Sequence, residues 1–168
     1  MQHYTEILEG RLWVGSIRSV AFRENLRELK DSGLKCVLSV LPIGKIGGWS
    51  PCQMEERVEA HRILFSWDDT ELEPVWIERA IDLDVPTLIH CNSGKNRSTA
   101  IAACWLLRHH SSLFKSTLWT DEAIEMVKSA RDKTRGTPAD IYPEMRENVK
   151  RYWHWLVRRA VAAVKRAR

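Results

Sequence analysis

The chain has 168 residues, 26 Lys or Arg against 22 Asp or Glu, a net charge of +4 and an apolar fraction of 44%. That length and composition suit a single domain (1–168) with a full core. No apolar run approaches a membrane span, the first ten residues lack a basic-then-apolar export signal, and the four cysteines are spaced for neither zinc nor a disulfide framework.

Residues 7–15 (ILEGRLWVG) read as a turn at Glu9-Gly10, then a short strand through Leu12, Trp13 and Val14. Phe22, Leu26 and Leu29 fall at helical spacing, which predicts a helix over 19–32 with Gly33 as its C-terminal cap. Residues 36–41 (CVLSVL) form a buried strand closed by Pro42, expected near the centre of a parallel sheet. Three glycines, a proline and Trp49 make 43–54 a loop, and 55–60 a short helix. Residues 61–67 (HRILFSW) are the next strand, followed by the acidic loop Asp68-Asp69-Thr70-Glu71. A helix over 73–81 places Trp76, Ile77, Ala80 and Ile81 on its apolar face. Asp84-Val85-Pro86 then turns the chain into a further strand.

That strand leads into the stretch with the most chemistry, Thr87-Leu88-Ile89-His90-Cys91-Asn92-Ser93-Gly94-Lys95-Asn96-Arg97-Ser98. An apolar run ends at His90-Cys91, a polar loop with one glycine follows, and Arg97 opens a segment, Arg97–His109, that is apolar nearly all round. The pattern is buried strand, tight loop, buried helix. Such a loop gathers backbone N–H groups and the positive end of a helix dipole around one spot, a natural anion cradle. A cysteine at its base is favoured as thiolate by the helix N-terminus and a nearby arginine. Arg97 adds a planar fork of donors that fits two oxygens of a phosphate. A nucleophile, a cradle and a clamp within seven residues suit attack on a phosphate monoester at phosphorus.

Three elements complete the pass. Thr120 is the expected N-cap of a helix whose first turn holds Asp121 and Glu122 and whose stripe is Ala123, Ile124, Val127 and Ala130. Gly136-Thr137-Pro138 ends it. A basic C-terminal helix over about 141–168 carries the stripe Val149, Trp153, Leu156, Ala160 and Val164. Residues 146–168 hold eight Lys or Arg and one Glu, a net of +7, which leaves −3 in the other 145 residues. Basic charge thus belongs to the tail.

The sequence His-Cys-x5-Arg-Ser, with glycine three after the cysteine, resembles the signature of the cysteine-based protein tyrosine phosphatase superfamily. Length and the central position of the motif are most similar to the dual-specificity branch. The resemblance spans residues 7–155 and is strongest at the loop. It implies a three-layer α/β fold, with a central, mostly parallel sheet of four or five strands flanked by helices and the site at the strands' C-terminal ends. It implies that Cys91 is the nucleophile and that Arg97 binds phosphate, with Asn92, Ser93, Gly94, Lys95 and Asn96 forming the rest of the cradle. Ser98 matches a hydroxyl that bonds the sulfur, and His90 a histidine that orients the loop. The general acid is implied on the loop after the preceding strand: Asp69 by motif register, with Asp68 as the alternative. Neither metal nor cofactor is implied.

By the resemblance, phosphotyrosine and phosphoserine/threonine proteins are the expected substrates. Two features depart from the pattern. The helix before the catalytic strand is short, and Lys95 stands where many protein phosphatases carry an uncharged residue. Lys95 resembles the tensin-homologue phosphoinositide phosphatases, Asn96-Arg97 the RNA triphosphatases, and Asn92 with Ser98-Thr99-Ala100 the glucan phosphatases. A phosphate-binding module without turnover is the remaining alternative. The basic helix and Lys95 are the candidate contacts for RNA or anionic lipid. A thiolate nucleophile implies a reducing compartment, cytoplasmic or nuclear.

Overall fold

The computed structural model describes residues 3–42, 59–65, 71–135, 139 and 141–167. Five strands form one sheet in the order β1-β2-β5-β3-β4, where β1 is Tyr4–Leu8, β2 Leu12–Ser16, β3 Cys36–Pro42, β4 Glu59–Phe65 and β5 Thr87–Cys91. β1 pairs antiparallel with β2, and all other pairings are parallel. β5 lies in the middle, between β2 and β3, and every residue of it is buried. A strand buried on both faces reads as an unbroken apolar run, as Thr87-Leu88-Ile89 does.

Two strand expectations are corrected. Residues 4–8 form β1, a strand not anticipated, joined to β2 through Gly10 at φ 62. The Arg11 N–H closes that turn onto the Leu8 carbonyl at 3.0 Å. Glu59 and Ala60 belong to β4, in register with Cys36 and Val37, not to a short helix. The strand ladder satisfies their backbone groups more completely than a single helical turn would. The loop over 43–54 and the acidic residues Asp68 and Asp69 lie outside the described residues.

The helices are α1 (Arg18–Ala21), α2 (Arg23–Asp31), α3 (Pro74–Ile81), α4 (Arg97–His109), α5 (Trp119–Arg135) and α6 (Pro143–Arg166). They cover both faces of the sheet. Strand side chains alternate with period two, so β2, β3 and β5 each feed two cores. Leu12, Val14, Leu38, Val40, Ile89 and Cys91 face α3, α4, α5 and α6. Trp13, Val37 and Leu88 face the α1–α2 side, with Val20, Leu26 and Leu29. This is the expected three-layer arrangement.

Three helix details differ from the sequence pattern. The expected helix over 19–32 is two helices, because Phe22 is extended at φ −106, ψ 123. Its ring leaves the helical stripe and stacks on His3, with centroids 5.5 Å apart. Trp76 is not on the buried face of α3: it is 58% exposed beneath the Arg79 guanidinium, while Ile77 and Ile81 are buried. Thr120 is not an N-cap, since α5 already starts at Trp119 and the Glu122 N–H bonds the Leu118 carbonyl at 3.0 Å. Trp119 is held there by Trp153, with rings 5.0 Å apart.

α4 is the axis of the larger core. Every residue from Ser98 to Leu107 is buried, including Trp105. Polar links tie its far end to the neighbouring helices. The Arg108 Nε donates to Glu78 Oε1 at 3.0 Å, and the Tyr152 hydroxyl donates to Glu78 Oε2 at 2.5 Å. α3, α4 and α6 thus converge on one carboxylate. With β5 held centrally and α4 held at both ends, the loop between them has little freedom.

Candidate active site

β5 ends at Cys91 and α4 begins at Arg97, so residues 92–96 must reverse direction within one short loop. Gly94 makes that possible at φ +70, the left-handed region that side chains resist. The reversal folds the loop over the sulfur. The Gly94 N–H donates to Cys91 Sγ at 3.2 Å, and Ser98 Oγ lies 3.2 Å from the same atom. Cys91 is 3% exposed, at the foot of a buried, thirteen-residue helix whose first turn carries no acid. The Gly94 amide, the Ser98 hydroxyl and the N-terminal end of the helix therefore converge on the sulfur.

The loop is braced on several sides. The Asn92 carbonyl accepts the Ile17 N–H at 3.2 Å, and the Lys95 carbonyl accepts the Thr99 hydroxyl at 2.9 Å. Asn96 Oδ1 does not cap α4 but accepts the Tyr142 N–H at 2.9 Å, tying the loop to the start of α6. Arg97, Lys95 and Asn96 are half-buried, while Asn92 and Ser93 are exposed. The loop is thus open to solvent on one side and fixed to the core on the other.

His90 precedes the nucleophile candidate and is buried. Its Nε2 lies 2.7 Å from Ser39 Oγ on β3, across the parallel register that pairs the two residues. Burial pushes its pKa down to about 4, the adjacent Cys91 backbone offsetting a little of this. The ring is neutral at pH 7 and links β5 to β3 through Ser39. Cys104, in contrast, is fully buried, and burial pushes its thiol up, out of reach of any chemistry near neutrality. No group of three His, Cys, Asp or Glu side chains able to hold a metal lies among the described residues.

The structure brings Gly94 and Ser98 into direct contact with the Cys91 sulfur, sets Arg97 at the helix start and places the His90 ring against Ser39. Asp69 and Asp68 fall outside the described residues. The segment that follows them is anchored, however. The Leu72 N–H donates to Asn148 Oδ1 at 3.0 Å, and Arg151 Nη1 pairs with Glu71 Oε2 at 3.2 Å. Arg151 also donates to Asn148 Oδ1.

One participant escaped the sequence reading. Arg131 of α5 is 1% exposed, and its Nε donates to the Gly94 carbonyl at 3.1 Å. Its Nη1 donates to Thr5 Oγ1 at 2.8 Å and to the Val14 carbonyl at 2.9 Å. A buried arginine thus ties the top of the loop to β1 and β2. The signal was present: Arg131 lies four residues after Val127, on the packing stripe of α5, where a cation needs partners.

No protein-family model and no curated protein sequence matches the chain. Solved structures do. PTPMT1 superposes with a TM-score of 0.72 at 18% identity, over 95% of this chain and 99% of its own. PTPMT1 has also been solved in complex with PI(5)P. Human DUSP28 gives a TM-score of 0.63 at 22% identity, over 92% and 95% of the two chains. The active form of Tk-PTP gives 0.63 at 19% identity, over 90% and 97%. Strand order, loop and helices together show that this chain has the fold of the cysteine-based tyrosine and dual-specificity phosphatases.

Proposed function

We propose that this chain is a phosphatase that hydrolyses phosphate monoesters through a phosphocysteine intermediate, with phosphotyrosine and phosphoserine/threonine proteins as its substrates. The observation that carries the reading is the pair of contacts on Cys91 Sγ, from the Gly94 amide and from Ser98, at the N-terminus of a buried helix. An inert core cysteine has no use for donors aimed at its sulfur.

In the first step the Cys91 thiolate attacks phosphorus. An S–P bond forms, the P–O bond to the leaving group breaks, and Asp69 (alternatively Asp68) gives its proton to the departing oxygen. Arg97 and the amides of residues 92–97 hold the equatorial oxygens as charge develops on them. In the second step the same carboxylate takes a proton from water. The water oxygen bonds phosphorus, the S–P bond breaks, and the Ser98 hydroxyl stabilises the departing thiolate. His90, neutral and hydrogen-bonded to Ser39, keeps the strand end in register. A thiolate nucleophile fits a reducing, cytoplasmic or nuclear setting.

A phosphoinositide is the second reading. It is favoured by Lys95, a cation within the loop that suits a substrate with additional phosphates, and by the likeness to a phosphatase solved with PI(5)P. Phosphate release from phosphotyrosine and phosphothreonine peptides, a phosphoinositide, a 5′-triphosphorylated RNA and a phosphoglucan decides between them, with Cys91→Ser as the blank. Turnover of peptides that Cys91→Ser abolishes supports the protein-phosphatase reading. Preference for the lipid, with loss in Lys95→Met, moves the substrate to phosphoinositides. Phosphate binding without turnover in the wild type leaves a binding module.

A further inference from the structure

The last three turns of α6 are built differently from the rest of the helix. Up to Leu156 it packs on the domain, with Met145, Val149 and Tyr152 buried and Trp153, Trp155 and Leu156 partly buried against the core. From Val157 to Ala167 every residue is exposed except half-buried Ala162. The geometry explains why. α6 starts beside the loop, at Tyr142, and runs alongside α4, so that Tyr152 already reaches Glu78 and Arg108 near α4's end. At 1.5 Å per residue, the residues from Val157 to Arg166 extend about 14 Å beyond the last packed side chains, Trp155 and Leu156. The helix therefore overhangs the domain at the end opposite the phosphate cradle.

The overhang is amphipathic. Val157, Val161 and Val164 fall at i, i+4 and i+7 on one face and are 39%, 49% and 56% exposed. Val161 and Val164, with Ala160, line a shallow apolar groove that Lys165 also borders. Arg158 and Lys165 flank this stripe, and Arg159 and Arg166 fill the opposite side. Beyond Glu147 the chain has no Asp or Glu and seven Lys or Arg.

We infer that this overhang is a docking surface for an anionic lipid membrane, with the valine stripe entering the headgroup boundary and the cations meeting lipid phosphates. The charge pattern selects that occupant. Small exposed valines offer nothing for bases to stack on, which disfavours single-stranded RNA. A second copy of the helix would bring like charges together along its whole length. An anionic bilayer satisfies the stripe and the cations at once. Because the cradle lies at the other end of α6, docking tethers the domain and does not form part of the phosphate site. The inference stands independently of the substrate assigned above.

The test is sedimentation of the full chain with vesicles of phosphatidylcholine alone or with about 30% phosphatidylserine, at low and high salt. The expected result is at least about tenfold more binding to the anionic vesicles, lost at high salt. V161D/V164D and R158E/K165E should each reduce it by about tenfold, while hydrolysis of a soluble aryl phosphate stays at the wild-type rate. Equal binding to neutral vesicles, no binding, or binding that both variants retain overturns the inference. So does tighter, competing binding of a single-stranded RNA, or a concentration-dependent dimer that V161D/V164D abolishes.

Discussion

The Arg131 guanidinium on α5 donates from Nε to the carbonyl of Gly94 at 3.1 Å, joining residues 37 positions apart. That bond fixes the peptide that follows the left-handed residue of the loop. Its amide neighbour, the Gly94 N–H, points at Cys91 Sγ. One arginine therefore holds the peptide on one side of Gly94, while the peptide on its other side serves the nucleophile candidate. Arg131→Met keeps the aliphatic stem but leaves the Gly94 and Val14 carbonyls without this donor. A loss of about 2–4 kcal/mol of stability is expected from denaturant unfolding. For an aryl phosphate, kcat should fall by about tenfold or more, with a smaller change in KM, because the loop is mispositioned rather than removed. A variant that unfolds more easily yet keeps full kcat would leave Arg131 a structural brace only.

Gly94 itself offers a sharper test. A Cβ there would come within 2.7 Å of the carbonyl carbon and oxygen of Gly15 and of Arg131 Nη2, in a backbone conformation already unfavourable for side chains. The Gly15 contacts are backbone and cannot swing aside. Gly94→Ala is expected to cost about 1–3 kcal/mol in stability. A fall in kcat/KM of about a hundredfold should accompany it, since a displacement near 1 Å at a reacting group has effects of that order. Wild-type activity in Gly94→Ala would mean that the loop tolerates another conformation.

Much of this site was legible because it is compressed into one stretch. Cys91, Gly94, Arg97 and Ser98 share a loop and a helix turn, and the apolar runs on either side announce a buried strand and a buried helix. The fold class followed from the same runs. What sequence could not supply was contact between distant segments. Arg131 meets Gly94, Ser39 meets His90, and Asn148 holds Leu72; each pair is set by how the layers stack, not by spacing along the chain. β1 was missed because a short strand paired on one side carries a weak pattern. Trp76 and Phe22 were misplaced because large apolar residues were assigned to buried stripes, whereas each has a surface partner, Arg79 and His3. The apolar stripe of α6 is continuous in sequence, but its packing on the domain stops after Leu156. Periodicity shows which face is apolar, not how far the domain extends beneath it.

His90 gives the domain a pH signature. Its folded pKa is about 4, below the ordinary 6.5, because burial opposes the charged ring. Between those values the unfolded chain takes up a proton that the folded chain does not. Stability from this group is therefore complete above pH 6.5 and declines as the pH falls toward 4. The full loss is about 3 kcal/mol. Urea unfolding of the wild type should show this slope against pH, and His90→Gln should flatten it over the same window. The same slope in His90→Gln would assign the acid sensitivity to other groups.

In the proposed phosphocysteine mechanism, Ser98 separates the two chemical steps. Its Oγ lies 3.2 Å from Cys91 Sγ and is fully buried, so the atom it is placed to act on is the sulfur. In the first step sulfur loses charge as it bonds phosphorus, and a hydrogen bond to the thiolate gives little help or slight hindrance. In the second step charge returns to sulfur, and the same hydroxyl stabilises it as it departs. Ser98→Ala removes one hydrogen bond to a charged atom, about 1.5–3 kcal/mol, which corresponds to roughly ten- to a hundredfold in rate. The slowed step should be phosphoenzyme hydrolysis. Stopped-flow with p-nitrophenyl phosphate is then expected to show a burst of nitrophenolate approaching one equivalent of enzyme, followed by slow turnover. A uniform slowing without a burst would assign Ser98 to the first step, and no effect would remove it from the chemistry.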